Sequence, residues 1–114
     1  MKISEKLIAG KKLIENPDNW IKGYYAKIKK VDTSHLYGND PEARCFCSIG
    51  ALQRVTGTNH HWGDCVNYLD KAAVCLFESS ITKANDELPH ESVMVIWDKA
   101  IEIAKRDEVI YGKH

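Results

Sequence analysis

The sequence lacks a long hydrophobic run and an excess of charge of either sign. No apolar stretch approaches the roughly 20 residues that a membrane-spanning helix needs. Residues 1–14 mix charged with apolar side chains instead of forming the apolar core of a signal peptide. Sixteen basic residues balance sixteen acidic ones, which gives no indication of a nucleic-acid partner or an anionic membrane surface. We therefore expect a cytoplasmic protein that binds neither a membrane nor nucleic acid.

Proline is also scarce, with three residues, and no low-complexity segment or internal repeat divides the chain. Its 114 residues can enclose one modest hydrophobic core and not two. We therefore expect a single domain over residues 1–114. A cytoplasmic location keeps thiols reduced, so we expect no structural disulfide among the four cysteines, which are Cys45, Cys47, Cys65 and Cys75.

Hydrophobic periodicity is the strongest pattern that is present, and it predicts a mostly α-helical fold. Apolar residues recur at helical spacing in four segments, which we predict to be helices over residues 3–15, 48–57, 64–77 and 89–106. Ser48 is the predicted N-cap of the second helix, and Gly57 is its predicted end. The predicted fold is therefore a small four-helix arrangement with irregular loops.

The connections between these helices show no helical pattern. Residues 32–44 are rich in turn formers and predict a long loop, and residues 79–88 predict a second irregular segment. Residues 22–31 fit either a strand or a short helix, because their apolar residues alternate only in part. If they form a strand, its partner is predicted near residues 42–46, which would give a short two-stranded β element.

Three short patterns occur in order along the chain. They are a tryptophan after the first helix, a Cys-x-x-Gly-Ala segment and an Ile-x-x-Ala-Asn-Asp segment, made of Trp20; Cys47, Gly50 and Ala51; and Ile81, Ala84, Asn85 and Asp86. In this order and spacing, residues 5–105 resemble domain-of-unknown-function family 6197, a family of small bacterial and phage proteins. That family has tryptophan where this chain has Ala84. The resemblance implies the fold and a prokaryotic or phage origin, and it implies no activity.

Cys47 is the first candidate for chemistry. A thiol beside a helix N-terminus lies at the positive end of the helix dipole, which can lower its pKa and make it a nucleophile. A cysteine-dependent hydrolase or transferase also needs a histidine base and an orienting group, for which His61 and Asp86 are the candidates. The alternative is that Cys47 is a small buried residue that begins the helix, and the lack of an ordered catalytic motif favours this interpretation.

A zinc-stabilised interaction module is a second alternative. Its candidate ligands are Cys45, Cys47, His61 and Cys65. The ligand atoms suit zinc, but Cys-x-Cys is shorter than the usual separation of zinc ligands, and no second cysteine pair closes the site. The histidine can instead belong to a solvated turn between two helices. We therefore predict no cofactor.

The candidate ligand site is a cleft that exists only if two segments of the chain face one another; turn and cap roles for Asn85 and Asp86 are the alternative that their residue types favour. Asn85 and Asp86 could cap a turn, or they could bind a ligand if they face Cys47 and Ser48 across a cleft, with Trp20 as a further candidate. The leading hypothesis is a non-catalytic binding protein for a small molecule or a host protein. The last helix is apolar around much of its surface, which predicts either a central position or a homodimer.

Overall fold

Residues 1–112 are described by the structure, a computed structural model, and they contain five α helices and one small sheet. The helices are Ile3–Ile14 (α1), Ser48–Thr56 (α2), Asp64–Phe77 (α3), Ile81–Glu87 (α4) and His90–Tyr111 (α5). A 3-10 helix follows α1 at Pro17–Asn19, and the strands are Ala26–Lys27 (β1) and Cys45–Phe46 (β2). The mostly α-helical class is therefore confirmed. The predicted domain, residues 1–114, includes residues 113 and 114, which lie outside the described ones.

The two strands pair antiparallel, with Ala26 opposite Phe46 and Lys27 opposite Cys45. This pairing confirms the strand alternative for residues 22–31 and its partner near residues 42–46. A separate bridge joins Ala26 to Leu36, so the chain after β1 folds back alongside that strand. The connection between the first two helices is therefore held by backbone pairing.

The prediction of an irregular segment at residues 79–88 is wrong, because α4 lies there and raises the number of helices from four to five. The Ser80 hydroxyl caps α4 by accepting a hydrogen bond from the Lys83 amide at 3.2 Å. Asp70 of α3 accepts another from the Ile81 amide at 2.8 Å. Caps and tertiary contacts thus stabilise a helix whose seven residues are too few to show a periodic pattern.

The broad apolar character of α5 is explained by its central position. This helix packs against α1 and α3, and its Trp97 side chain is fully buried between its neighbours. The helix continues past its predicted end at residue 106, and its last turn exposes Val109, Ile110 and Tyr111. Because the core accounts for most of the apolar face, the homodimer stays a prediction.

Two further expectations concern membranes and disulfides. Within residues 1–112, no helix combines the length and the apolar composition that crossing a membrane requires. All four cysteines have free thiols, of which Cys75 is exposed and the other three are buried.

Candidate ligand-binding cleft

A cleft of about 450 Å³ opens between residues 23–37, the start of α2 and one face of α4. Four of the five residues predicted to bind a ligand line it, namely Cys47, Ser48, Asn85 and Asp86. The structure therefore brings together the two sequence segments, which is the condition that the ligand-site hypothesis required. Trp20, the fifth predicted residue, lies behind the wall, where its indole is buried and hydrogen bonded to Asn85.

The position of this wall depends on Gly50, in the first turn of α2. The Cys47 amide donates a hydrogen bond to the Tyr25 carbonyl at 3.0 Å, which draws the two backbones together. A Cβ atom on Gly50 would lie 1.8 Å from that same carbonyl oxygen, so no side chain fits there. Glycine is therefore needed for residues 23–37 to approach α2 and close one side of the cleft.

A buried network of hydrogen bonds forms the base of the cleft. The Asn85 side-chain oxygen accepts from the Trp20 indole at 2.8 Å, from the Ser48 amide at 3.1 Å and from the Ser48 hydroxyl at 2.9 Å. The Asn85 amide group donates to the Ile21 carbonyl at 3.0 Å. The Ser48 hydroxyl in turn accepts from the Trp97 indole at 3.0 Å. The network therefore joins α2, α4, α5 and the chain after the 3-10 helix.

These hydrogen bonds show that the Ser48 and Asn85 side chains hold parts of the fold together. Asn85 is 2% exposed, and its oxygen already accepts three hydrogen bonds. Ser48 is fully buried, and its hydroxyl both donates and accepts within the network. In the part of the chain that the structure describes, no buried side-chain nitrogen or oxygen lacks a partner. Both residues therefore line the cleft chiefly by supporting its wall.

Asp86 differs from its neighbour Asn85, because its side chain is exposed at the rim of the cleft. One carboxylate oxygen, Oδ1, accepts a hydrogen bond from the Gly23 amide at 2.9 Å. Gly23 adopts a φ of +83°, a conformation that glycine adopts without the strain of a side chain. Thr82 lies one helical turn before Asp86, on the same side of α4, and also lines the cleft.

Aromatic rings form the opposite wall in two stacked pairs. Tyr24 stacks on His35 with a centroid separation of 4.0 Å, and Tyr25 stacks on Tyr37 at 5.7 Å. All four rings line the cleft, and about half of the Tyr37 surface, 51%, is exposed to solvent. Ligand sites commonly combine such apolar and aromatic walls with a few polar groups.

Cys47 is the N-cap of α2, so the prediction that Ser48 caps this helix is wrong. Its sulfur accepts a hydrogen bond from the Gly50 amide at 3.3 Å, while the Ser48 hydroxyl belongs to the buried network. Burial raises the pKa of the Cys47 thiol to about 11, from an ordinary value of 9.0. The shift is opposite to the lowered pKa that an activated nucleophile requires.

The predicted catalytic set is only partly assembled. Cys47 and Asp86 line the same cleft, whereas His61 is exposed in the connection between α2 and α3 and contacts Trp62. The histidine that lines the cleft is His35, which stacks on Tyr24. Cys47 and Asp86 therefore face the cleft without His61, the histidine that the catalytic hypothesis required.

The predicted zinc ligands are not brought together as a group. Residues 1–112 contain no cluster of three or more histidine, cysteine, aspartate or glutamate side chains that could hold a metal ion. Cys45 donates to the Asp18 carbonyl at 3.7 Å, Cys47 caps α2, and Cys65 is buried in α3. The metal set Cys45, Cys47, His61 and Cys65 is therefore distributed over separate parts of the fold.

Most of the residues on the open side of the cleft were not among the predicted ligand-binding residues. They are Tyr24, Tyr25, His35, Tyr37 and Thr82. The concentration of rings within residues 24–37 was an available signal, since three tyrosines and a histidine in one loop segment suit a binding wall. No local pattern indicated that this segment would pack against α2.

The comparison with protein families identifies the chain. The model described as "Family of unknown function (DUF6197)" matches residues 1–103. The chain belongs to this family. The match confirms the resemblance to this family, and it spans every residue that lines the cleft. No curated protein and no solved structure matches the chain.

Proposed function

We propose that this chain is a cytoplasmic, non-catalytic binding protein whose cleft holds a small molecule. The cleft itself is the observation that carries the proposal. Its volume of about 450 Å³ lies within the range of small-molecule sites, which measure roughly 300–1,000 Å³. Its walls combine aromatic rings with the carboxylate of Asp86 and the hydroxyl of Thr82, a combination that can give both contact area and orientation.

Binding without turnover is supported by the state of the two possible nucleophiles. The thiol of Cys47 has a raised pKa and accepts a backbone hydrogen bond as a helix cap. The Ser48 hydroxyl donates to Asn85 and accepts from Trp97, neither of which is a general base. Within residues 1–112, neither group is hydrogen bonded to a histidine or a carboxylate, the bases that nucleophilic catalysis commonly uses.

A screen of small-molecule fragments by NMR, using ¹⁵N-labelled protein, tests the proposal. We expect binders to shift the amide resonances of residues 23–37 and of α4. Thr82→Trp places a large ring at the rim and should weaken their affinity about tenfold or more, because it fills the space that they occupy. Lys83→Trp is the matched control, since Lys83 is the exposed neighbour on α4 and does not line the cleft.

Either of two results would contradict the proposal. One is a screen in which no fragment shifts resonances of the cleft. The other is a binder whose affinity is lowered equally by Thr82→Trp and Lys83→Trp, since that would place its site elsewhere on α4. A protein partner, whether a host protein or a second copy of this chain, stays a prediction.

A further inference from the structure

The charge of the cleft limits the ligands that it can hold. Asp86 is the one carboxylate among its lining residues, His35 is the one histidine, and within the described part of the chain no lysine or arginine lines it. Asp86 is exposed and accepts the Gly23 amide through Oδ1 only. Its Oδ2 atom accepts no hydrogen bond from residues 1–112, so the negative edge of the carboxylate is available to a donor.

Thr82 adds a second polar atom beside that carboxylate. Residues four apart on a helix lie side by side, so Thr82 and Asp86 present their side chains together. Both line the cleft, and the Thr82 hydroxyl has no hydrogen-bond partner in the described structure. A protonated amine or amidine has several N–H donors and can use both acceptors at once.

The N-terminus of a helix such as α2 favours an anion where its amides are free, because free amides there bind negative charge. Here those amides are occupied from within the protein. The Ser48 amide donates to Asn85 at 3.1 Å, and the Gly50 amide donates to the Cys47 sulfur at 3.3 Å. An anion would therefore meet few free donors in the cleft and would face the carboxylate of Asp86.

The tyrosine wall is compatible with a positive charge. Tyrosine ring faces attract cations. Tyr24 is already engaged, because the Lys27 ammonium lies 4.9 Å from its centroid and His35 stacks on it, so the rings left for a ligand are those of Tyr25 and Tyr37. Tyr25 and Tyr37 stack on each other and leave about half of Tyr37 exposed beside the cleft. These rings offer both apolar contact and a negative electrostatic surface to a ligand.

We infer that the cleft binds an organic cation, a protonated amine or amidine on an apolar body. The charged group lies against Asp86 and Thr82, and the apolar body lies against Tyr25, Tyr37 and Ile49. This inference rests on the proposed function, because it assigns a chemical class to the small molecule that the cleft holds.

Three phenyl compounds of similar size and different charge test the inference. They are 2-phenylethylamine, 2-phenylethanol and 3-phenylpropanoate, titrated separately at pH 7 while the amide resonances of the cleft are followed by NMR. We expect the amine to bind about tenfold more tightly than the alcohol, since its charge-assisted hydrogen bond to Asp86 has no equivalent in the alcohol. We expect the carboxylate to bind most weakly.

Asp86→Asn removes the negative charge of Asp86 and keeps an oxygen for the hydrogen bond that Asp86 contributes to the fold. Asparagine keeps an oxygen that can accept the Gly23 amide, so the variant should fold while the preference for the amine falls to within about twofold. Glu87→Gln is the matched control, because it removes the same charge from the next residue of α4, which does not line the cleft. This control should keep the full preference for the amine.

The outcomes distinguish this inference from the proposed function. If the alcohol or the carboxylate shifts the cleft resonances with an affinity equal to that of the amine, the inference is overturned and the proposed function stands. If the preference for the amine persists in Asp86→Asn, the assignment of the charge to Asp86 is overturned. If none of the three compounds shifts the cleft resonances while other fragments of the screen do, the inference is overturned and the proposed function stands; if no fragment shifts them either, both are overturned.

Discussion

Asn85 and Asp86 are adjacent in α4, yet they belong to two different regions of the molecule. Asn85 is buried in the network behind the cleft, where its oxygen accepts three hydrogen bonds. Asp86 is exposed at the rim, where one of its oxygens is occupied. Successive residues of an α-helix point about 100° apart, so one dipeptide can serve the interior and the surface. The difference separates a group that holds the fold from a group that is available to a ligand.

The patterns that relate this chain to its family show the same division. Cys47 caps α2, Gly50 lets the Tyr25 carbonyl approach, and Asn85 ties α4 to the core. These residues position the cleft without offering a free polar group to it. Asp86 is the residue of these patterns that presents a carboxylate to the open space. In this chain, Cys47, Gly50 and Asn85 therefore hold the walls of the cleft, and Asp86 faces its open space.

Removing the centre of the buried network should have the largest effect on stability. Asn85→Ala leaves the Trp20 indole and the Ser48 amide without their acceptor. Each buried donor left without a partner costs about 1–3 kcal/mol, so we expect the free energy of unfolding to fall by about 3–4 kcal/mol. Chemical denaturation followed by circular dichroism measures this loss.

Asn67→Ala is the control for that experiment, because Asn67 is exposed on α3. It should change the free energy of unfolding by less than about 0.5 kcal/mol. If both variants lost the same free energy of unfolding, the hydrogen bonds of Asn85 would stabilise the fold no more than an exposed asparagine does. The contrast between a structural Asn85 and an available Asp86 would then be wrong.

Gly50→Ala should have a smaller effect on stability and should move the cleft wall. Its methyl group overlaps the Tyr25 carbonyl, so the backbone of residues 23–37 must shift away from α2. Overpacking of this kind typically costs about 1–3 kcal/mol. We expect hydrogen exchange of the Cys47 amide to accelerate, because its hydrogen bond to Tyr25 is lost, while the Trp20 indole resonance stays near its original position.

Gly57→Ala provides the comparison, since it strains a residue with a φ of +70° that has nothing within 4 Å of an added Cβ. It should cost about 1 kcal/mol and leave the exchange of the Cys47 amide unchanged. If Gly50→Ala also left that exchange unchanged, the close approach would not be what holds the cleft wall.

Periodicity predicted the long helices because each buries a repeating apolar face, as α5 does around Trp97. The same reasoning missed α4, whose buried residues are only Ile81, Ala84 and Asn85. A seven-residue helix depends on its caps, and one of them comes from Asp70, which belongs to the preceding helix α3. A contact between two helices thus stabilises an element that the pattern of its own seven residues does not reveal.

The sequence predicted the part of the candidate site that lies on α2 and α4, and it did not predict the part that lies in the segment of residues 23–37. Cys47 and Asp86 line the same cleft, which meets the condition that the ligand-site hypothesis set for them. The tyrosines of residues 24–37 were missed because their position depends on the close approach of Tyr25 to Gly50, which no local pattern encodes. His61 was misassigned for a related reason, since a residue in an exposed turn has no periodicity to show which way it faces.

Cys47 lies between the buried network and the open cleft, because its thiol caps α2 and the residue also lines the cleft. The reactivity of this thiol therefore tests the comparison between the two regions without any substitution. The protonated thiol stabilises the fold below pH 9.0, and this contribution to the free energy of unfolding is lost as the pH rises towards about 11.

The rate at which iodoacetamide modifies Cys47 gives the sharper test. At pH 8 the thiolate fraction of Cys47 is about a hundredfold smaller than that of an ordinary cysteine, so iodoacetamide should modify exposed Cys75 first. Peptide mass spectrometry over time measures both rates, and the denatured protein, in which the two should react alike, is the control. Faster modification of native Cys47 would place an activated nucleophile in the cleft and restore the cysteine-dependent enzyme as the better hypothesis.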